Sequence, residues 1–371
     1  CPNDNPLASN AHLMRGCKAG VSDDGVKVSA VDTRGNSWAT VEGTSGIIVM
    51  TLASTNDPNF DAADKGKLHT DPGDAGCLNE RSSLYQLDLN GTLANDTVYA
   101  LEADSLNNLW LTNRQGITLK VDLDWIYDFP SPFGGKIQRR VSLSVNATSK
   151  VCTLTDDESR TATNERCWAF NTPYGHEIAI DANDGAWVGA YRESASIAQL
   201  RHEIYGIDAK ATAWGDAKVY TPGVNQPRYL AVDINNYLWV ASGVDDVGGD
   251  TNGIHQVYTT GANIGKATGE FFNGPGDVTG NNSNFGIAAD SEGFLWMMYQ
   301  GDGQPGRVLR IDTTKPDPGD GGLGGMRDGS RGRLITDVFD IPGGFRDDSP
   351  WTRSSIQTGL NSRILKAASG G

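Results

Sequence analysis

With 371 residues, among them 46 Gly, 15 Pro and 9 Trp, and a formal charge of −15, the chain is acidic and rich in turn-forming and aromatic residues. Such a charge repels phosphate backbones and anionic lipid, which excludes nucleic-acid and membrane-surface partners, and no run of about 18 apolar residues is present to span a bilayer. Short strands joined by tight turns are expected, without long helices.

Residues 1–25 show no periodic pattern. They begin with Cys1, where a bacterial lipoprotein cut before its cysteine carries a lipid anchor, although an arbitrary boundary would give the same letter. From residue 28 one pattern recurs: VSAVDTRGNSWAT at 28–40, ALEADSLNNLWLT at 100–112, EIAIDANDGAWVG at 177–189, YLAVDINNYLWVA at 229–241 and GIAADSEGFLWMM at 286–298. The spacing never changes, pairing Asp32 with Trp38, Asp104 with Trp110, Asp181 with Trp187, Asp233 with Trp239 and Asp290 with Trp296.

The third residue after each Asp is Gly35, Asn107, Asp184, Asn236 or Gly293, types that accept positive φ at low cost. A hairpin turn is therefore predicted after each Asp, whose carboxylate accepts backbone N–H groups just downstream. The Trp opens the return strand and fills space between packed sheets. One and three positions before each Asp the residues are mostly apolar, and two before it stands Ala30, Ala179, Ala231 or Ala288, with Glu102 breaking the column. Strands that are small on one face and apolar on the other suit a sheet sandwiched between like sheets.

Further strands follow each copy: SLYQLDL, ITLKVDL, EIYGIDA, GIHQVYT and RVLRIDT, then outer candidates KIQRRVSLSV, AKVYTP, GEFF and ITDVFDI. Four strands per unit is the make-up of a propeller blade. The fold class is accordingly all-β, a single β-propeller over 1–371 with five explicit blades. Six is the favoured count and five the next, the sixth drawn from residues 1–25 and the tail 331–371 so that no edge is left open. Insertions are assigned to 54–80 and 147–170, and a Gly- and Asp-rich surface loop to 315–333.

Cys152 and Cys167 bracket the polar segment TLTDDESRTATNER and read as a disulfide clip, with Cys17 and Cys77 as a second, leaving Cys1 over. Disulfides place the chain in an extracellular, periplasmic or outer-surface setting. Sequons at Asn90, Asn95, Asn146 and Asn281 matter only in a eukaryotic secretory route.

The blade pattern resembles the bacterial propeller repeats of the streptogramin B lyase-like, NHL-like and SMP-30/gluconolactonase-like superfamily, over residues 26–312. Because that group holds lyases, lactonases and binding proteins, the resemblance implies a fold and not one activity. A lyase-like member would use a His near the channel as base, and only His176 falls in register; His12, His69, His202 and His255 do not. A lactonase-like member would gather Glu, Asn and Asp on one cation, for which Glu102 and Asn284 are candidates.

Other chemical motifs fail on context. GDGQPG at 301–306 and GDGGLG at 319–324 match G-x-G-x-x-G, but neither opens a helix after a strand. The Asp-rich stretches 71–76, 245–250 and 317–322 could attract a divalent cation, calcium or magnesium, but lack the spacing of a calcium loop and read more simply as solvated turns.

Propellers work where loops lead into the inner strands at the channel mouth. Five positions before the motif Asp stand Lys27, Tyr99, His176, Arg228 and Phe285, and beside them Glu102, Glu177 and Tyr229. Unlike polar and aromatic groups at one level suit a binding site. The favoured function is thus a secreted or surface-anchored propeller that binds a glycan, small molecule, peptide or protein there. The alternative is a metal-assisted lyase or lactone hydrolase with His176 and Glu177 as catalytic groups.

Overall fold

A computed structural model describes residues 26–33, 37–41, 46–50, 84–91, 98–113, 116–128, 138–156, 158–191, 201–224, 226–242, 254–272, 283–300, 307–316 and 333–340. They form a succession of sheets, of which the third, fourth and fifth take their strands in chain order. The first contains β1 (Val26–Val31), β2 (Ser37–Val41), β3 (Gly46–Met50) and β4 (Leu84–Gly91), all antiparallel. The second is β5 (Val98–Ala103), β6 (Asn108–Asn113), β7 (Ile117–Asp122) and, at its outer edge, β11 (Cys167–Asn171). Between β7 and β11 lie a short helix α1 (Leu123–Tyr127), β8 (Gln138–Val145), β9 (Cys152–Asp156) and β10 (Thr161–Thr163). The third sheet is β12 (Gly175–Ile180), β13 (Ala186–Ala190), β14 (Ile204–Ile207) and β15 (Lys218–Tyr220). The fourth is β16 (Pro227–Val232), β17 (Tyr237–Ser242), β18 (Ile254–Tyr258) and β19 (Ala267–Phe272). The fifth is β20 (Ser283–Ala289), β21 (Phe294–Gln300), β22 (Arg307–Pro316) and β23 (Arg333–Asp340). The chain is thus all-β, and these sheets are the four-stranded blades of a β-propeller.

The repeat explains each inner hairpin atom by atom. In the fourth sheet the Asp233 carboxylate accepts from the backbone N–H of Asn235 at 2.9 Å and of Tyr237 at 3.0 Å. Its other oxygen accepts the indole N–H of Trp239 at 2.8 Å. Asn236 takes the predicted positive φ of 65°, as do Asn107 at 63°, Asp184 at 63° and Gly293 at 93°. The Asp-to-indole bond recurs in every copy, at 2.9 Å for Asp32, 2.8 Å for Asp104, 3.0 Å for Asp181 and 2.7 Å for Asp290. Asp104, Asp181, Asp233 and Asp290 therefore hold their turns and also satisfy the indole N–H of a Trp, while for Asp32 the indole bond is described and residues 34–36 of its turn lie outside the described residues.

The alanine column has a cross-strand reason. Ala30, Ala179, Ala231 and Ala288 sit directly opposite Trp38, Trp187, Trp239 and Trp296. Cβ atoms of such pairs are about 5 Å apart, so a small residue leaves room for the indole.

The described residues divide into two compact units, 1–111 with 119–169 and 212–214, and 112–118 with 170–211 and 215–371. In the second, Ala179 and Trp187 pack with Leu230, Leu238, Val240 and Val257 of the next sheet. Tyr229, Ala231 and Trp239 in turn pack with Ile287, Ala289, Leu295 and Ile311. The strand β16 is buried on both faces, Leu230 toward one neighbour and Ala231 toward the other. In the first unit, Asp32 also accepts the hydroxyl of Tyr127, and Lys120, buried, lies 4.5 Å from the ring of Trp168 and 5.4 Å from that of Trp110.

One expected strand assignment is corrected. KIQRRVSLSV is not the outer strand of the second blade; β8 pairs in parallel with β4 and, with β9 and β10, extends the first sheet to seven strands. The outer place in the second blade goes to β11, within the segment assigned as an insertion. Backbone bonds from Asp122 to Arg166 and from Thr172 to Gly116 lock it there. The insertion is ordered by the Cys152–Cys167 disulfide, which ties β9 to β11. It also repeats the turn chemistry of the motif, since Asp156 accepts from the backbone of Glu158 and Arg160 while Ser159 takes a φ of 67°. There Arg160, not a Trp, holds the second carboxylate oxygen at 2.7 Å.

ITDVFDI serves as β23 of the fifth sheet, which removes that stretch from any sixth blade. Cys1, Cys17, Cys77, residues 1–25 and 54–80, and most of 315–333 lie outside the described residues, so the second clip and the sixth blade do too.

Candidate functional site

The inner strands share an irregularity at their leading ends, the ends at which the chain runs into each of them. Along β12 and β13, Gly175 pairs with Ala190 and Glu177 with Gly189, leaving His176 as an extra residue. Along β16 and β17, Pro227 pairs with Ser242 and Tyr229 with Ala241, leaving Arg228. The same slip isolates Phe285 between Asn284 and Gly286. In β1 it falls between Val26 and Ser29, the interval that holds Lys27. Three inner strands thus carry a β-bulge at the position five before the motif Asp, and β1 carries one at Lys27 or Val28. Bulges release a residue from the ladder and re-aim its side chain. The residue types released are those at which the repeats disagree most.

In the second unit the surroundings of two of these residues are fully described. His176 meets the ring of Tyr191 edge-on at 5.2 Å and that of Tyr229 at 6.4 Å. The Arg228 guanidinium lies 4.4 Å from the Tyr191 ring and 5.1 Å from the Tyr229 ring, and Nη1 donates a long 3.4 Å bond to the Tyr191 hydroxyl. Tyr191 is fixed by its backbone N–H, which donates to the Tyr174 carbonyl at 2.8 Å. Arg201 stands 4.0 Å over the Tyr174 ring, and its backbone carbonyl accepts the N–H of Gln226. The next sheet contributes Thr112, whose hydroxyl donates to the His176 carbonyl at 3.0 Å. A connected group of rings and cations therefore occupies the leading end of the third and fourth sheets.

The backbone here is held in uncommon conformations. Tyr174 and Gln226, each seven residues before a motif Asp, have φ of 63° and 45°. Left-handed backbone at non-glycine residues costs roughly 1–3 kcal/mol and clusters at functional sites.

Among the predicted site residues, Glu177 and Tyr229 are buried and Tyr99, Glu102, His176 and Arg228 partly so. Lys27 and Phe285 lie in the predicted strands, but their side chains are not among those described. Tyr99 and Glu102 belong to β5 in the other unit. Tyr174, Tyr191, Arg201 and Gln226 were missed by sequence reasoning. Only Tyr174 and Gln226 share a fixed offset from the motif, and nothing in their residue types announces a positive φ.

Among the described residues no group of three His, Cys, Asp or Glu is placed to hold a metal. The Asp-rich stretches 71–76, 245–250 and 317–322 lie outside the described residues. No helix among the described residues is long and apolar enough to cross a membrane.

No protein-family model and no curated protein matches the sequence. Among solved structures the chain is similar to virginiamycin B lyase from Staphylococcus aureus, at 15% identity over 86% of each chain with a TM-score of 0.41. It is also similar to a luciferin-regenerating enzyme, at 10% identity over 85% of this chain and 76% of that one with a TM-score of 0.42. A protein of unknown function from Bacteroides caccae matches at 10% identity over 87% of this chain and 88% of that one, TM-score 0.41.

Proposed function

We propose that this chain is an exported binding propeller that holds a small ligand at the leading end of its third and fourth sheets. The observation that carries the reading is the repeated bulge. A device used at the same register in three inner strands frees residues of three different chemistries, and two of them, His176 and Arg228, stand in one aromatic cluster with Tyr191 and Tyr229. Small-ligand sites combine aromatic surface with a few fixed polar groups in this way. Export is supported by the Cys152–Cys167 disulfide, which persists in oxidising compartments.

The test is a ligand-observed NMR screen of sugars and small polar metabolites against the wild-type chain, a His176→Ala/Tyr191→Ala double variant and a Lys210→Ala control on an exposed residue. Hits that bind wild type and control but not the double variant support the reading. Hits indifferent to the double variant, or no hits at all, refute it. Lactone hydrolysis assayed alongside, with and without added magnesium or calcium, would replace it with the lyase or lactonase reading if turnover occurs and His176→Ala abolishes it.

A further inference from the structure

Several buried donors gather around this cluster. Four buried side-chain nitrogens here have no acceptor among the described residues: Nδ2 of Asn113, Nε of Arg201, Nε2 of Gln226 and Nε of Arg228. All four are donors. Asn113 and Gln226 are themselves 0% and 1% exposed, so water reaches neither side chain freely. They share the leading end of the sheets: Gln226 and Arg228 precede and open β16, Asn113 ends β6 one residue beyond the Thr112 that holds the His176 backbone, and Arg201 holds the backbone of Gln226. Buried polar groups in native proteins are nearly always paired, and each donor left alone is costly.

Arg228 adds charge to this surplus. Arg201 has a carboxylate partner, Glu203, at 3.8 Å. Arg228 has none among the described residues; its guanidinium is held between two tyrosine rings and makes only the long bond to the Tyr191 hydroxyl. A guanidinium held beside two rings keeps a planar fork of N–H groups, which binds a planar anion with two parallel bonds. The chain as a whole carries a net charge of −15. The same net charge disfavours a polyanionic partner and favours a small one.

Resting on the binding reading above, the geometry points to a small carboxylate-bearing ligand, its carboxylate paired with Arg228 and its other acceptors with the neighbouring amide donors. The test uses two matched acid and amide pairs, glucuronate with glucuronamide and benzoate with benzamide, measured by saturation-transfer NMR titration at pH 7. The variants are wild type, Arg228→Gln and Arg228→Lys, each checked for an unchanged melting temperature. At least one acid is expected to bind about tenfold more tightly than its amide. That preference disappears in Arg228→Gln and survives in weakened form in Arg228→Lys, which keeps the charge and loses the fork. Equal binding of acid and amide, a preference that outlives Arg228→Gln, or no binding by any probe overturns the carboxylate assignment. Neutral hits in the library screen that depend on His176 and Tyr191 would at the same time leave the binding reading standing, so the two failures are separable.

Discussion

Removing the Asp233 carboxylate should expose how the repeat stabilises a blade. The carboxylate accepts three N–H groups, two from its own turn and one from the Trp239 indole, and both side chains are buried. In Asp233→Ala the Asn235 amide, whose residue is exposed, turns to water, whereas the indole N–H stays buried without an acceptor. An orphaned buried donor costs about 1–3 kcal/mol and the lost bonds to a charged acceptor add a similar amount, so about 3–4 kcal/mol of destabilisation is expected. Trp239→Phe leaves the turn bonds in place and should cost about 2 kcal/mol, part of it lost indole packing. The two effects share one bond, so the double variant should fall short of their sum by about 1–2 kcal/mol. Urea unfolding followed by far-UV circular dichroism, with the slope unchanged, measures all three. Additivity within about 0.5 kcal/mol would show that the Asp–Trp bond contributes nothing and that the invariant six-residue spacing has another cause.

Other predictions follow from single contacts. Replacing Cys152 and Cys167 together by Ala should lower stability by about 3 kcal/mol, the loop-closure effect of a 15-residue separation, as read from denaturation under oxidising conditions. Gly189→Ala would press a Cβ against the Pro227 carbonyl oxygen, a backbone atom that cannot swing aside, and should destabilise by about 2–3 kcal/mol on thermal melting while Lys210→Ala does not. Burial, reinforced by the nearby Glu203 carboxylate, pushes the Tyr205 hydroxyl from 10.0 up to about 12, and it donates to the Pro173 carbonyl at 3.0 Å. The unfolded chain therefore sheds this proton first, so the contribution is whole below pH 10 and is lost as pH rises toward 12. Tyr205→Phe should flatten that alkaline decline in urea midpoints, and an unchanged decline would refute the assignment.

Much of the fold was legible because it is written in repeating local chemistry. The Asp, the residue that takes positive φ and the Trp all act within one hairpin, so their spacing alone revealed turns, strands and both buried faces. What escaped involves partners distant in sequence. Nothing in KIQRRVSLSV says that it pairs with β4 and not with β7, because its alternation suits either edge. The indole bond to the motif Asp was missed because a Trp reads first as apolar area. In the site, the offset of five located His176 and Arg228 correctly at strand starts. The bulge that frees them depends on cross-strand register, Tyr191 joins them through ring contacts, and Gln226 is tied in by a backbone bond to Arg201, partners that no motif spacing announces.

The account divides labour between the two ends of each inner strand, with turns and tryptophans holding the blade and bulged leading ends holding the ligand. Amide hydrogen exchange with and without the tightest-binding probe tests that division most directly. Protection is predicted at 174–177, 189–191 and 226–229, with the turns at 181–185 and 233–237 unchanged. Protection centred on those turns, or spread evenly over the sheets, would contradict it.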